Sequence, residues 1–235
     1  MAIVGQFREL SSMREIVLDT ETTGFRFNDG DRIVEIGCVE LVNHVATGNS
    51  YHQYINPERL MPAEAFKVHG LSDEFLSGFP IMAEVIDQFV AFIGSEAPLI
   101  IHNAEFDIGF INSEFKRLDK PIIPISRAID TVKLAKEKFP GSPASLDALC
   151  RRFSIDNTGR TFHGAILDAQ LLSEVYLELI GGRQPDFELD SEENVEKITT
   201  NGVIPRKLRV FNLPEPERSA HIEFLKKIKD PIWTK

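Results

Sequence analysis

Cysteine is nearly absent from this 235-residue chain, and Cys38 and Cys150 both stand in apolar stretches, without a Cys-x-x-Cys partner or a histidine at ligand spacing. That argues against a disulfide framework or a thiolate zinc site and leaves two reduced core residues. Positive charge is scarce as well: 26 Lys and Arg face 36 Asp and Glu, for a formal net charge of −10. Affinity for a phosphate backbone comes largely from Lys and Arg, so any nucleic-acid chemistry here must be local, metal-assisted or helped by a partner. No run reaches the roughly 18 consecutive apolar residues of a membrane span, and residues 1–13 lack the apolar core of a secretory signal. The expectation is a soluble, cytoplasmic protein with no membrane partner. No internal repeat is evident. The length and the ordinary apolar fraction of 43% suit one large domain plus an appendage.

The first apolar strand, Ile16-Val17-Leu18, runs into Asp19-Thr20-Glu21. A β-branched run over 32–42 and an alternating stretch over 50–55 predict two further antiparallel strands, with 45–49, including Gly48, as the turn between them. Helical spacing follows at 83–93, a short buried strand at 98–101, and helices at 106–118, 145–153 and 164–180. Gly181-Gly182 closes the last of these as a C-terminal cap and marks a domain boundary. Residues 183–203 then crowd Asp186, Glu188, Asp190, Glu192, Glu193 and Glu196 into a solvated acidic linker. Residues 204–235 turn basic and partly apolar, ending in the sole tryptophan, Trp233. Such a segment reads as a docking peptide, or as a tail that folds back on its own domain.

Side chains two apart on a strand point the same way, so Asp19 and Glu21 present paired carboxylates that repel unless a cation lies between them. Asp107, in Asn103-Ala104-Glu105-Phe106-Asp107, and Asp168, five residues after His163, supply two more. Four carboxylates and a histidine suit hydrolysis of a phosphodiester with two divalent cations about 4 Å apart. The all-oxygen donor set favours Mg²⁺ or Mn²⁺ over zinc. Asp19, Glu21 and Asp168 are the expected direct ligands, with Asp107 completing the shell directly or through water. His163 supplies an imidazole, whose unperturbed pKa near 6.5 suits a general base. Each motif alone has an ordinary reading: a solvated strand end, Asn103 as a helix N-cap, a surface histidine. Their order and placement together carry the chemistry.

Asp19 to Gly24, Asn103 to Asp107 and His163 to Asp168 resemble the three exonuclease motifs of the DnaQ-like, DEDDh class of 3′-to-5′ exonucleases. Residues 64–70, 101–104, 145–150 and 168–172 are further similar to the epsilon, proofreading subunits of bacterial DNA polymerase III. The resemblance implies a ribonuclease-H-like α/β fold: a mixed five-stranded sheet, antiparallel meander plus parallel strands, flanked by helices and followed by a flexible C-terminal extension. It implies an exonuclease domain over 1–182, with Asp19, Glu21, Asp107, Asp168 and His163 catalytic. Asp19, Thr20, Glu21, Glu64, His69 and Asp168 would lie against the terminal nucleotide. The structural alternatives are a first-turn helix acid for Glu64 and a turn at His69-Gly70. The same resemblance implies a DNA 3′ end as substrate, single-stranded or frayed. It further implies a polymerase alpha subunit held by 204–235, through 207–210 and Trp233, and a small theta-like partner on the exonuclease domain. A clamp-binding peptide follows the catalytic domain in this family, and Gln184-Pro185-Asp186-Phe187-Glu188-Leu189 sits in that place as the candidate for a beta sliding clamp, although Glu188 between Phe187 and Leu189 departs from the usual pentapeptide.

Two rival readings remain. A free-standing exonuclease acting on RNA ends or small oligonucleotides has no evident use for the linker and docking segment. A non-catalytic polymerase scaffold has no use for all five catalytic side chains.

Overall fold

The computed structural model describes residues 13–158, 162–181 and 214–228. The chain divides into two units, 1–186 and 187–235, each described by itself. In the first unit, β-branched runs build β1 (Arg14–Thr22), β2 (Ile33–Val42) and β3 (Val45–Tyr54) into an antiparallel meander. β4 (Leu99–Ile101) joins the free side of β1 in parallel, and β5 (Ala128–Asp130) joins β4. The resulting five-stranded sheet has the order β3-β2-β1-β4-β5.

Parallel neighbours need crossover connections, which here are helical. α1 (Ala63–His69), α2 (Asp73–Leu76) and α3 (Met82–Ile93) lead from β3 to β4, and α4 (Ala104–Arg117) leads from β4 towards β5. α5 (Thr131–Lys138), α6 (Leu146–Phe153) and α7 (Ala165–Leu179) follow. The alternation along β1 divides the core in two. Ile16 and Leu18 pack with α3 and α4 around Phe89 and Phe110, whereas Val17 packs with α6 and α7 around Leu149, Leu172 and Val175. Each fully buried side chain of this size contributes about 1.5–3 kcal/mol. Both cysteines are fully buried thiols, Cys38 on the first side and Cys150 on the second.

The expected strands and long helices are present, most within two residues of their expected bounds. The β2–β3 connection differs. Val42 pairs directly with Val45, so the turn is Asn43-His44 and the strand begins where a turn was expected. Both turn residues have positive φ, 51° and 65°, as a two-residue hairpin matched to strand twist requires. Gly48, the expected turn glycine, instead lies within β3 at φ 89°. Asn103 also departs from expectation. It occupies the N-cap position of α4, but in the left-handed conformation (φ 72°, ψ 58°) and without a side-chain capping bond.

In the second unit the described part is α8 (Glu215–Leu225), with none of its residues buried and Ile222 and Phe224 about half exposed. The acidic linker, the candidate clamp peptide at 184–189, residues 207–210 and Trp233 lie outside the described residues. Among the described residues no helix is long and apolar enough to cross a membrane.

Candidate active site

β1, β4 and β5 all end on one edge of the sheet, and the acidic motifs gather there, where open α/β sheets receive their ligands. On β1, Asp19 and Glu21 share the face of Val17, towards α7. Thr20 takes the opposite face, towards α4, and its hydroxyl donates to Asp107 Oδ1 at 2.6 Å. The strand end thus serves both layers. α7 reaches the sheet through small residues: Ala165 and Ala169 are fully buried. Directly opposite Asp19 on β2 stands Gly37, where a Cβ would lie 2.3 Å from the backbone of Ala165 and Ile166. That contact seats the first turn of α7, and with it Asp168, against the carboxylates of β1.

The outcome is a cluster in which ligand atoms of Glu21, His163 and Asp168 all lie within 4.8 Å of one another. Glu21 and Asp168 are buried, and Asp19 is half-buried. Asp107 is 3% exposed, beside Thr20 at the end of β1. Burial pushes its carboxyl up to about 7, and Asp130 pushes the same way; the Thr20 hydroxyl and nearby backbone N–H groups oppose the shift. Carboxylates converging at this burial fit hard divalent cations through oxygen ligands, and such a cation would relieve the charge that burial penalises.

His163 lies just before the N-cap of α7, with Nδ1 3.3 Å from Asp168 Oδ2. That pairing favours the proton on Nδ1 and leaves Nε2 as the acceptor. The histidine is also tied to α1: its N–H donates to the Val68 carbonyl at 3.2 Å. The Phe162 ring packs over Gly70, the left-handed C-cap of α1.

Between α1 and the end of β1 opens a cleft of about 480 Å³, lined by Thr20, Glu21, Phe25, Glu64, His69 and Phe106 among others. Glu64 stands in the first turn of α1, largely exposed and 3.3 Å from Lys67. His69 is buried at the other end, where its Nδ1 accepts the Leu71 N–H at 3.1 Å. Burial holds its pKa below the ordinary value, with the Thr22 backbone acting against the shift.

Three contributors escaped the sequence reading. Gly37 looked like an ordinary member of a strand run. Glu35, 2% exposed and paired across the strands with Glu21, is held by His52 Nε2 at 2.7 Å; an interior strand glutamate with a histidine on the next strand was the available signal. Asp130 accepts the Asn103 N–H at 3.3 Å and caps α5, fixing the turn from which Asp107 departs.

Residues 16–176 match the family described as Exonuclease. The chain is 49% identical over 226 residues to the DNA polymerase III subunit epsilon of Rickettsia conorii, covering 93% of this chain and 98% of that one. To the protein of the same name from Escherichia coli it is 45% identical over 220 residues, covering 88% and 90%. Among solved structures it is similar to exonuclease X in complex with 5′ overhanging duplex DNA, with a TM-score of 0.54, 25% identity and 70% and 90% of the two chains covered. It also shares its fold with the nuclease domain of 3′hExo, a DEDDh family member bound to rAMP, at a TM-score of 0.62, 16% identity and coverage of 73% and 93%.

Proposed function

Because the chain belongs to the exonuclease family, and within it to the epsilon subunits of DNA polymerase III, we propose that the acidic cluster edits DNA 3′ ends during replication by releasing one 5′-mononucleotide at a time. The protein is a 3′-to-5′ exonuclease of a class that depends on divalent metal. The observation that carries the catalytic reading is the gathering of Glu21, His163 and Asp168 within 4.8 Å.

In this reading Asp19, Glu21, Asp107 and Asp168 hold two divalent cations, Mg²⁺ or Mn²⁺. When bound, these neutralise phosphate charge and acidify the attacking water. His163 Nε2 accepts the proton of that water, and Asp168 steadies the ring through Nδ1. The water oxygen bonds to phosphorus, the bond to the penultimate 3′ oxygen breaks, and the 5′-mononucleotide leaves. Glu64 and His69, which line the cleft on α1, grip the terminal nucleotide. Thr20, whose hydroxyl is committed to Asp107, acts near the nucleotide through the cleft wall. A cleft of this size holds one nucleotide out of the duplex, so a mispaired end, which costs less to unpair, enters more often.

Assembly with DNA polymerase III follows the epsilon naming. For this chain the proposed attachments are 204–235 for the alpha subunit, 184–189 for the sliding clamp, and the exonuclease domain for a theta-like subunit. Truncation after Gly182 should keep nuclease activity on single strands but lose co-elution with the alpha subunit, and undiminished co-elution would sink the docking assignment.

Digestion of end-labelled primers, matched or mismatched at the 3′ end, tests the activity, with RNA alongside. Stepwise shortening of DNA that is faster at the mismatch is expected, and preference for short RNA would overturn the reading. His163→Ala should lower turnover about a hundredfold while cation-induced thermal stabilisation persists. A variant that turns over like the parent would remove the general-base assignment.

A further inference from the structure

Hydrolysis at the acidic cluster leaves one electrostatic question open. The strand bearing the scissile bond carries a negative phosphate at every step, the chain is net acidic, and the cleft beside the cluster adds Glu21, Glu64 and Asp31 to its wall. Among the described residues lining that cleft, Arg26 is the sole side chain with a permanent positive charge.

Its surroundings suit a phosphate. Arg26 stands at the cleft rim beside Phe25, which is 80% exposed. Its backbone is pinned: the N–H donates to Asp31 Oδ2 at 3.0 Å, and the carbonyl accepts the N–H groups of Asp29 (2.9 Å) and Asp31 (3.3 Å). The side chain, by contrast, is 79% exposed, and among the described residues it makes one ion pair, Nη1 to Asp29 Oδ2 at 3.3 Å, with a partner itself 63% exposed. An exposed pair of that kind contributes at most about 1 kcal/mol, so exchanging it for a phosphate costs little. The base of the side chain is fixed while its charge is free to turn.

We infer that Arg26 is a substrate-binding residue that engages a backbone phosphate on the 5′ side of the scissile bond. The inference rests on the exonuclease reading. Elimination gives the position: the scissile phosphate belongs to the carboxylate cluster, and the terminal sugar ends in a hydroxyl, so a phosphate met by Arg26 lies upstream. Arg26 therefore makes the enzyme prefer a strand over a single nucleotide ester.

Steady-state kinetics of the full chain with Mn²⁺ test this on two substrates, a single-stranded oligodeoxynucleotide and thymidine 5′-(p-nitrophenyl phosphate), which has a scissile phosphate but none upstream. Arg26→Ala should raise KM for the oligonucleotide about three- to tenfold and reduce the slope of log KM against log salt by about 0.7, one single-strand phosphate contact. The loss should be confined to the oligonucleotide, and Arg26→Lys should recover most of the salt slope, since a point charge suffices. An unchanged KM and slope in Arg26→Ala, or an equal loss on the small ester, would overturn the assignment. Failure of the parent protein to cleave either substrate would overturn the exonuclease reading instead.

Discussion

Replacing Asp107 with Asn is expected to lower exonuclease turnover about a thousandfold or more, because in the proposed mechanism it removes a metal ligand and so several kcal/mol of transition-state stabilisation, at about 1.4 kcal/mol per tenfold. The same change raises the melting temperature of the metal-free protein at pH 8. The two effects have one cause. Asp107 is 3% exposed, and burial pushes its carboxyl up to about 7. A carboxyl whose folded pKa is raised binds its proton more tightly in the native state, so the native state is favoured at low pH and loses stability as pH rises from about 4 towards 7. Above that range the metal-free fold carries the full penalty of a buried charge. Asn keeps the shape and an oxygen to accept the Thr20 hydroxyl, and it removes the charge. Thermal melts in chelator should therefore show the parent falling from pH 5 to pH 8 and the variant nearly level, at about 2–4 °C per kcal/mol for a chain of this size. Added Mn²⁺ should reverse the order, because only the parent retains the full ligand set. A parent equally stable at both pH values in chelator would remove this account of Asp107.

Gly37→Ala should damage the site without touching a catalytic side chain. The added methyl would meet Ala165 C and Ile166 N at 2.3 Å and the Ala165 carbonyl oxygen at 2.4 Å. All three are backbone atoms, so no rotamer change relieves them, and α7 must retreat by about an ångström, a displacement that can cost about a hundredfold when it misplaces a reacting group. Asp168 and His163 move with the helix. Overpacking of this kind also costs about 1–3 kcal/mol of stability. The expected result is a folded protein by circular dichroism, with a lower melting temperature, weaker stabilisation by Mn²⁺ and turnover reduced more than a hundredfold. Parental turnover would mean that the seating of α7 does not set the geometry of the cluster.

The parts of this architecture legible in the sequence are those with a period. The apolar run Ile16-Val17-Leu18 marks β1, the two-residue period of a strand gives Asp19 and Glu21 a common side, and the apolar stripe of α7 announces that helix. β5, α1, α2 and α5 are short and lack the apolar runs that gave away β4 and α6, although α1 carries both Glu64 and His69. The hairpin was misplaced because its turn uses Asn43 and His44 in positive φ, while the nearby glycine, ordinarily the stronger signal, sits inside the strand. Asn103 had the identity of a cap but serves by its backbone, and only the position of Asp130 on a distant strand reveals why. Gly37 was illegible for a related reason: what matters is the helix that arrives above it some 130 residues later, a fact of packing rather than of local preference.

The hydrogen bond from the His163 N–H to the Val68 carbonyl joins the end of α1 to the loop before α7. In the proposed mechanism one of these segments grips the departing nucleotide and the other receives the proton. In that mechanism a single backbone hydrogen bond ties the two operations together: were α1 to loosen and free the mononucleotide, the base would be drawn away with it. Between one nucleotide and the next such a machine would pass through neutral, an interval in which the growing strand could return to synthesis.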